Sequence, residues 1–448
     1  MSAESMKPEE ALAFLCDETR KIGADAFDAL AGESESLGLE LFEGKVKSTE
    51  ISHSRGLGVR LFRGKRPGYA FTERFTADAI LQTVRDAWSH TRLTDEVNIT
   101  LPQAQTLPAI DLKSLDPALE KVSMEEMKVF CLELEAQVKP LDERIDNIPY
   151  LGAGRSSGRT WIRNSLGVDY SARGASISAG VGVTAAQGEQ KKMGAFNRGG
   201  RHFGFDASEI ARRAVERAVE LLGAEPLPSG NYPIVFSNRV APQLFGMFSS
   251  PFFADAVQKG QSRLAGKIGQ RIAPAFFQLS SQPHLPEWPG SHLFDSEGVA
   301  TRPLPIVENG VLLTYLYNLE SAAKEGVAPT GTGSRGYSGK AGTGFANYVI
   351  PQGSSRLEDL LAAYPRCFYV VKLEGGSGCS SVSGEISIGA QGFLVEGGQK
   401  VRPVDRVTLS GNFFEFLQGI EAFSDSWSDS FSSVKVPDTL VKTMTVSG

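Results

Sequence analysis

Two dipeptides restrict the possible folds of this chain more than any other feature. Asn309-Gly310 stands between Pro305–Glu308 and Val311–Leu316, and Gly397-Gly398 stands between Gly392–Glu396 and Lys400–Val404. Residues that accept positive φ at both central positions close two-residue hairpins, because the twist of such turns matches that of the strands they join. Both pairs therefore predict antiparallel β-structure in the second half of the chain. The 48 glycines among 448 residues add many further turn positions. Short strands between glycine turns point to a sandwich or barrel-like C-terminal domain.

The first half alternates helical patterns with strands. From Lys7 to Ile22, Ala11, Leu12, Leu15 and Ile22 recur at helical spacing behind Pro8, a residue suited to a first turn. A meander over Leu37–Glu43, Lys45–Ser54 and Gly58–Arg63 precedes a helix over Ala77–Trp88. A connector bearing Pro102, Pro108 and Pro117 leads to a helix over Ser123–Val138, where Ser123 and Glu126 form a capping box. Strands follow at Arg144–Ile148, Arg159–Asn164, Val168–Ala172 and Ile177–Ala185, then a helix over Ala207–Leu222 with a capping box at Asp206 and Glu209. The order strands, phenylalanine, polar cap, helix thus occurs over both Tyr69–Trp88 and Phe203–Leu222. A duplicated ββα unit or shared turn chemistry would each produce it. Gly223–Asn231, with Pro226, Pro228 and Gly230, breaks helix and strand alike. The expectation is an α+β chain. Its N-terminal α/β domain, residues 1–225, has a mostly antiparallel sheet with flanking helices, and a β-rich domain spans residues 232–448.

Charge and cysteine usage narrow the chemistry. With 46 basic and 52 acidic residues, the formal charge of -6 offers no overall footprint for nucleic acid and no polybasic membrane arm. Cys16, Cys131, Cys367 and Cys379 form no CxxC pair, which fits reduced thiols rather than a zinc ribbon or a redox motif. Met1–Arg20 is acidic and amphipathic, unlike a signal peptide, and no later run is long and apolar enough for a membrane helix. The expected location is the cytoplasm.

Familiar catalytic strings fail on context. Gly331, Gly333 and Gly336 match GxGxxG but follow a helical pattern, Leu319–Glu325, instead of a strand. Gly154-Arg155-Ser156-Ser157-Gly158 matches GxSxG, yet a strand pattern follows where a nucleophile elbow needs a helix, so a structural turn is expected. None of His53, His90, His202, His284 and His292 has another histidine within a helical turn. His284 and His292 share a loop with Glu287, Asp295 and Glu297, a set that either converges on a metal or forms a proline-pinned surface loop. Cys379, among Gly375, Gly376 and Gly378, reads as a small turn residue.

Six stretches then occur in order. They are Arg55-Gly56-Leu57-Gly58-Val59-Arg60-Leu61-Phe62, Leu293-Phe294-Asp295-Ser296-Glu297-Gly298-Val299-Ala300-Thr301-Arg302, Asn309-Gly310-Val311-Leu312, Thr330-Gly331-Thr332-Gly333-Ser334-Arg335, Ser383-Gly384-Glu385-Ile386-Ser387 and Leu409-Ser410-Gly411-Asn412. On these the chain resembles the TldD/PmbA family along nearly its whole length, and within it the PmbA (TldE) branch. The resemblance implies a TldD–TldE heterodimer acting as a cytosolic zinc peptidase on peptide precursors and unstructured proteins, in a family also linked to modulation of DNA gyrase. It further implies that the TldD-like subunit holds the zinc through an HExxxH motif and a later cysteine. Here the corresponding stretch after Arg239 reads Leu244-Phe245-Gly246-Met247-Phe248-Ser249-Ser250-Pro251, and no cysteine follows Asn412.

Zinc hydrolysis needs a polarised water and a carboxylate to take its proton, and none of those side chains supplies either. Leu244, Met247, Phe248 and Phe252 instead form an apolar stripe suited to core or to a subunit interface. The expectation is a catalytically silent subunit without a metal of its own, the zinc lying in the TldD-like partner. Gly246, Met247, Phe248 and Ser250 would mark the degenerate metal position. Arg335, Tyr337 and Asn347 would meet peptide substrate or partner, with extended peptide held by strand addition. Two rivals stand beside it: a homodimeric peptide-binding module without peptidase activity, and an autonomous hydrolase using the His284/His292 loop or Cys379. No nucleic acid or membrane is expected as a partner.

Overall fold

A computed structural model describes residues 5–448; Met1–Glu4, the start of the acidic N-terminal stretch, lie outside the described residues. The first part of the chain runs α1 (Pro8–Lys21), β1 (Ala26–Phe42), β2 (Lys45–Arg63), β3 (Arg66–Thr72) and α2 (Ala77–His90). After a connector, the same order repeats as α3 (Met124–Val138), β4 (Ile145–Asn164), β5 (Asp169–Gln187), β6 (Gln190–Gly200) and α4 (Ala207–Val219). The six strands form one antiparallel sheet in the order β3-β2-β1-β4-β5-β6, so β1 and β4 meet at its centre and the two halves mirror each other about them. The repeated unit is αβββα, larger than the ββα read from the sequence.

The strands are also longer than expected, and glycine is the reason. Gly56 and Gly58 interrupt the apolar pattern of β2 without turning it. A Cβ at Gly56 would lie 2.2 Å from the Tyr337 ring, and one at Gly58 would lie 1.8 Å from the Tyr337 carbonyl oxygen. These glycines admit a crossing segment rather than bend the chain. Gly154–Gly158, expected as a turn, likewise lies inside β4, paired residue by residue with β1 and β5.

Both helix pairs cover the same face of the sheet. Leu12, Leu15, Ile80 and Val84 pack on Phe27, Ala29, Leu57, Val59 and Leu61, while Met127, Leu134, Ile210 and Ala214 pack on Ile177, Val181 and Val183. The alternation of a strand sends Asp28, Leu30, Gly32 and Arg60 to the opposite face, toward the second half of the chain.

There, Gly230–Phe236, Arg366–Glu374, Glu385–Glu396, Gln399–Asn412 and Thr439–Ser447 form a barrel, closed where Thr408–Ser410 pair with Thr445–Ser447. Ile420–Phe423 adds a strand outside the ring. Asn309 and Gly310 have φ of 51° and 75°, and Gly397 and Gly398 have 55° and 79°, the left-handed pairs that tight hairpins require. Among the described residues, no helix is long and apolar enough to cross a membrane.

Candidate functional site

The helix α5 (Ala241–Met247) begins behind Ser237, whose carbonyl accepts from Ala241, and carries Pro242 in its first turn. Leu244, Phe245, Phe248 and Phe252 are fully buried. Phe248 stacks on Phe413 with ring centroids 4.5 Å apart and planes 7° from parallel, and Phe245 meets the edge of Phe416 at 5.5 Å. Most of the stripe is therefore core. Met247 sits half-buried at its margin against Gly376, Gly246 faces open space, and Ser250 donates to Ser381 Oγ at 2.9 Å. Zinc is held by thiolate, imidazole or carboxylate, and Gly246, Met247, Phe248 and Ser250 offer none of these. They do not fit the metal. Among the described residues, no three His, Cys, Asp or Glu side chains are grouped to hold one.

Buried charge lies elsewhere, where loops of the second half meet the open face of the first sheet. Arg60 is 1% exposed, and its guanidinium bonds Glu297 Oε1 at 2.9 Å and both carboxylate oxygens of Asp28, the longer bond at 3.2 Å. Arg335 forms an ion pair with Asp28, its Nη2 2.9 Å from Oδ1, and its Nε donates to Ser296 O at 3.0 Å. Glu297 Oε2 accepts from Leu319 N at 2.8 Å. Two cations and two anions thus balance inside the protein. Burial alone would raise the Asp28 carboxyl, but Arg335 and Arg60 outweigh it and hold it below the usual range.

Asp295 folds the loop that delivers Glu297, accepting from Glu297 N, Val299 N and Gly333 N at 2.9, 3.0 and 2.8 Å. Burial, and then the neighbouring Glu297, push its carboxyl up to about 7. Gly333 must be glycine here, since a Cβ would lie 2.7 Å from Glu297 Oε2. Between this loop and the sheet is a cavity of about 230 Å³, with Leu30, Ile162 and Phe294 as apolar walls and His292, Asp295 and Thr332 as polar ones.

The other expected site residues are dispersed. Arg335 belongs to the seam, and its side chain is 4% exposed. Asn347 is fully buried; it donates to Gln282 O at 2.6 Å and Ser291 Oγ at 2.9 Å, and accepts from Gly290 N at 3.0 Å, which pins the histidine loop. Tyr337 keeps a partly exposed ring, donates to Glu73 Oε1 at 2.9 Å and borders a cavity of about 300 Å³ with Tyr69, Phe71 and His90. His284 meets Thr301 Oγ1 at 3.0 Å and His292 meets Gly290 O at 2.8 Å, burial lowering the pKa of both. Glu287 turns away toward Lys113 at 3.9 Å, so the loop does not converge on a metal. Cys379 is half-buried with Sγ 3.7 Å from Ser387 O. The seam residues Asp28 and Arg60 escaped the sequence reading. Their one signal is a lone arginine within the apolar run Leu57–Phe62, placed by strand alternation on the face away from the helices.

Family models described as PmbA/TldA metallopeptidase domain 1, central domain and C-terminal domain match residues 27–90, 117–222 and 229–448. The chain is 26% identical over 455 residues to a Haemophilus influenzae protein named metalloprotease PmbA homolog, covering 100% of this chain and 98% of that protein. It superposes with a TM-score of 0.89, at 26% identity, on a solved Thermotoga maritima structure described as a candidate modulator of a DNA gyrase, covering 98% and 100% of the two chains. The TldE structure from Thermococcus kodakarensis has the same fold, with a TM-score of 0.85 at 20% identity over 98% and 99%.

Proposed function

The chain belongs to the PmbA/TldD metallopeptidase family, and from that premise we propose that it is the non-catalytic subunit of a TldD–TldE-type heterodimeric zinc peptidase in the cytoplasm. Its substrates would be peptides and small unfolded proteins. The supporting observation is the aromatic packing around α5. Phe245, Phe248 and Phe252 fill the interior with rings where the family resemblance sets the metal helix, leaving no ligand and no general base. In this reading the partner supplies zinc and the group that activates water, while this chain completes the channel through which an extended peptide passes.

The experiment is co-expression with a related chain carrying HExxxH. The expected result is a stable one-to-one complex that cleaves unstructured peptides, whereas this chain alone cleaves none. Isolation of this chain as a homodimer that binds peptides without cleaving them, and that ignores every HExxxH-bearing relative, would instead favour a stand-alone binding module.

A further inference from the structure

The two αβββα units treat one edge differently. In each, the outer strand is shorter than its neighbour: β3 pairs with Leu57–Arg63 of β2, and β6 with Ile177–Gln187 of β5. The remaining edge of β5 is closed by the connector between α2 and α3. Ala175 N donates to Ser114 O at 2.9 Å, Gln105 N donates to the Tyr170 hydroxyl at 2.7 Å, and Arg173 pairs with Glu120. The remaining edge of β2, Lys45–Arg55, carries no such cover. Every residue in it is exposed, and among the described residues no strand pairs with its outer side. At that end Arg55 Nη2 donates to Ser5 Oγ at 3.1 Å.

An open edge of this length is a template for another chain unless something defends it. Here the defence is selective. Lys45, Lys47, His53 and Arg55 face a single acid, Glu50. Antiparallel pairing of two copies at full overlap would set Lys45 against Arg55 and Glu50 against itself, and like charges opposite one another destabilise a ladder. Across the sheet from the last residues of this edge, His53–Arg55, a groove of about 630 Å³ over β1, β4 and β5 adds Arg155, Arg159 and Arg173 against Glu33, Glu35 and Glu120. Glu35 holds Arg155 at 3.1 Å, Glu120 holds Arg173, and Glu40 reaches Lys47 at 3.3 Å, so that among the described residues Lys45, Arg55 and Arg159 have no carboxylate partner.

We infer that Lys45–Arg55 is a strand-addition edge for an extended, acidic polypeptide segment of another protein, and not a contact between two copies of this chain. Main-chain hydrogen bonds would hold the segment, and the lysines and arginines would select its charge. This inference does not depend on whether the chain is catalytic.

The test uses labelled synthetic peptides as long as the free edge, with glutamate or lysine alternating with threonine and valine, titrated into the full chain by fluorescence anisotropy. The acidic peptide should bind, more weakly as salt is added, and the lysine peptide should not. The exposed double variant Lys45→Glu/Lys47→Glu should reverse that preference, costing the acidic peptide about tenfold in affinity. Acidic peptides N-methylated at alternate amides separate a strand from a loose ionic contact, because only one set of amides points at the protein. One methylation register should abolish binding and the other leave it. Equal binding in both registers, indifference to charge, absence of binding, or self-association captured by a Glu50→Cys disulfide would each overturn the inference.

Discussion

Around α5 the protein buries four apolar side chains and no charge, while at the seam between its halves it buries two arginines and three carboxyl groups. Both regions are interior, so the contrast lies in what each can do. Rings packed at van der Waals distance stabilise through area and shape and leave nothing to titrate or ligate. Buried ions recover their desolvation cost only with near-complete pairing, which fixes where one half of the chain sits on the other. In this molecule buried charge positions two halves. At the place where the family resemblance would put chemistry, it is missing.

The contrast can be broken first at Arg60. Its replacement, Arg60→Met, leaves Asp28 and Glu297 buried beside a single remaining cation, Arg335, and should cost about 4–5 kcal/mol in urea unfolding, with the sheet half separating early from the barrel half. A cost near zero would mean that the seam is held by its apolar contacts. Slightly smaller is Phe248→Ala, which empties the stack on Phe413 and should lose about 3–4 kcal/mol with no change in metal content.

The pH dependence sharpens the difference further. Asp295 titrates near 7 when folded and near the ordinary carboxyl value when unfolded, so the folded state holds the extra proton between those two values. Its contribution to stability is therefore present at low pH and lost as pH rises toward and through about 7. Asp28, held below the usual range, acts in the opposite sense, and its contribution fades as pH falls. Unfolding midpoints between about pH 5 and about pH 8 should carry a downward slope that Asp295→Asn flattens, while Phe248→Ala shifts the whole curve without changing its slope. The smallest effect is expected for Tyr337→Phe, which removes one partly exposed hydrogen bond to Glu73 and should cost about 1 kcal/mol or less.

What could be read in advance followed range of interaction. The hairpins at Asn309-Gly310 and Gly397-Gly398 and the capping box at Ser123 and Glu126 depend on residues a few positions apart, and they form as expected. The barrel was legible as a class because its turns are local. Gly56 and Gly58 carried no mark to distinguish a turn from a crossing point, since the residue that crosses them, Tyr337, is remote in sequence. The strand β6, Gln190–Gly200, went unread because its polar run lacks alternation. The ion pair of Arg60 and Glu297 joins residues 237 positions apart, and only the fold brings them together. For the same reason Arg335 and Asn347, polar and near glycines, resembled contact residues while serving as internal braces.

The most direct test of the silent-subunit reading is a peptidase and zinc measurement on this chain alone, on an HExxxH-bearing relative alone, and on their mixture. The account predicts no cleavage and no bound zinc for this chain alone, and cleavage by the mixture that follows the partner's zinc and survives Phe248→Tyr in this chain. Stoichiometric zinc in this chain by itself, with peptide cleavage that a chelator abolishes, would contradict it.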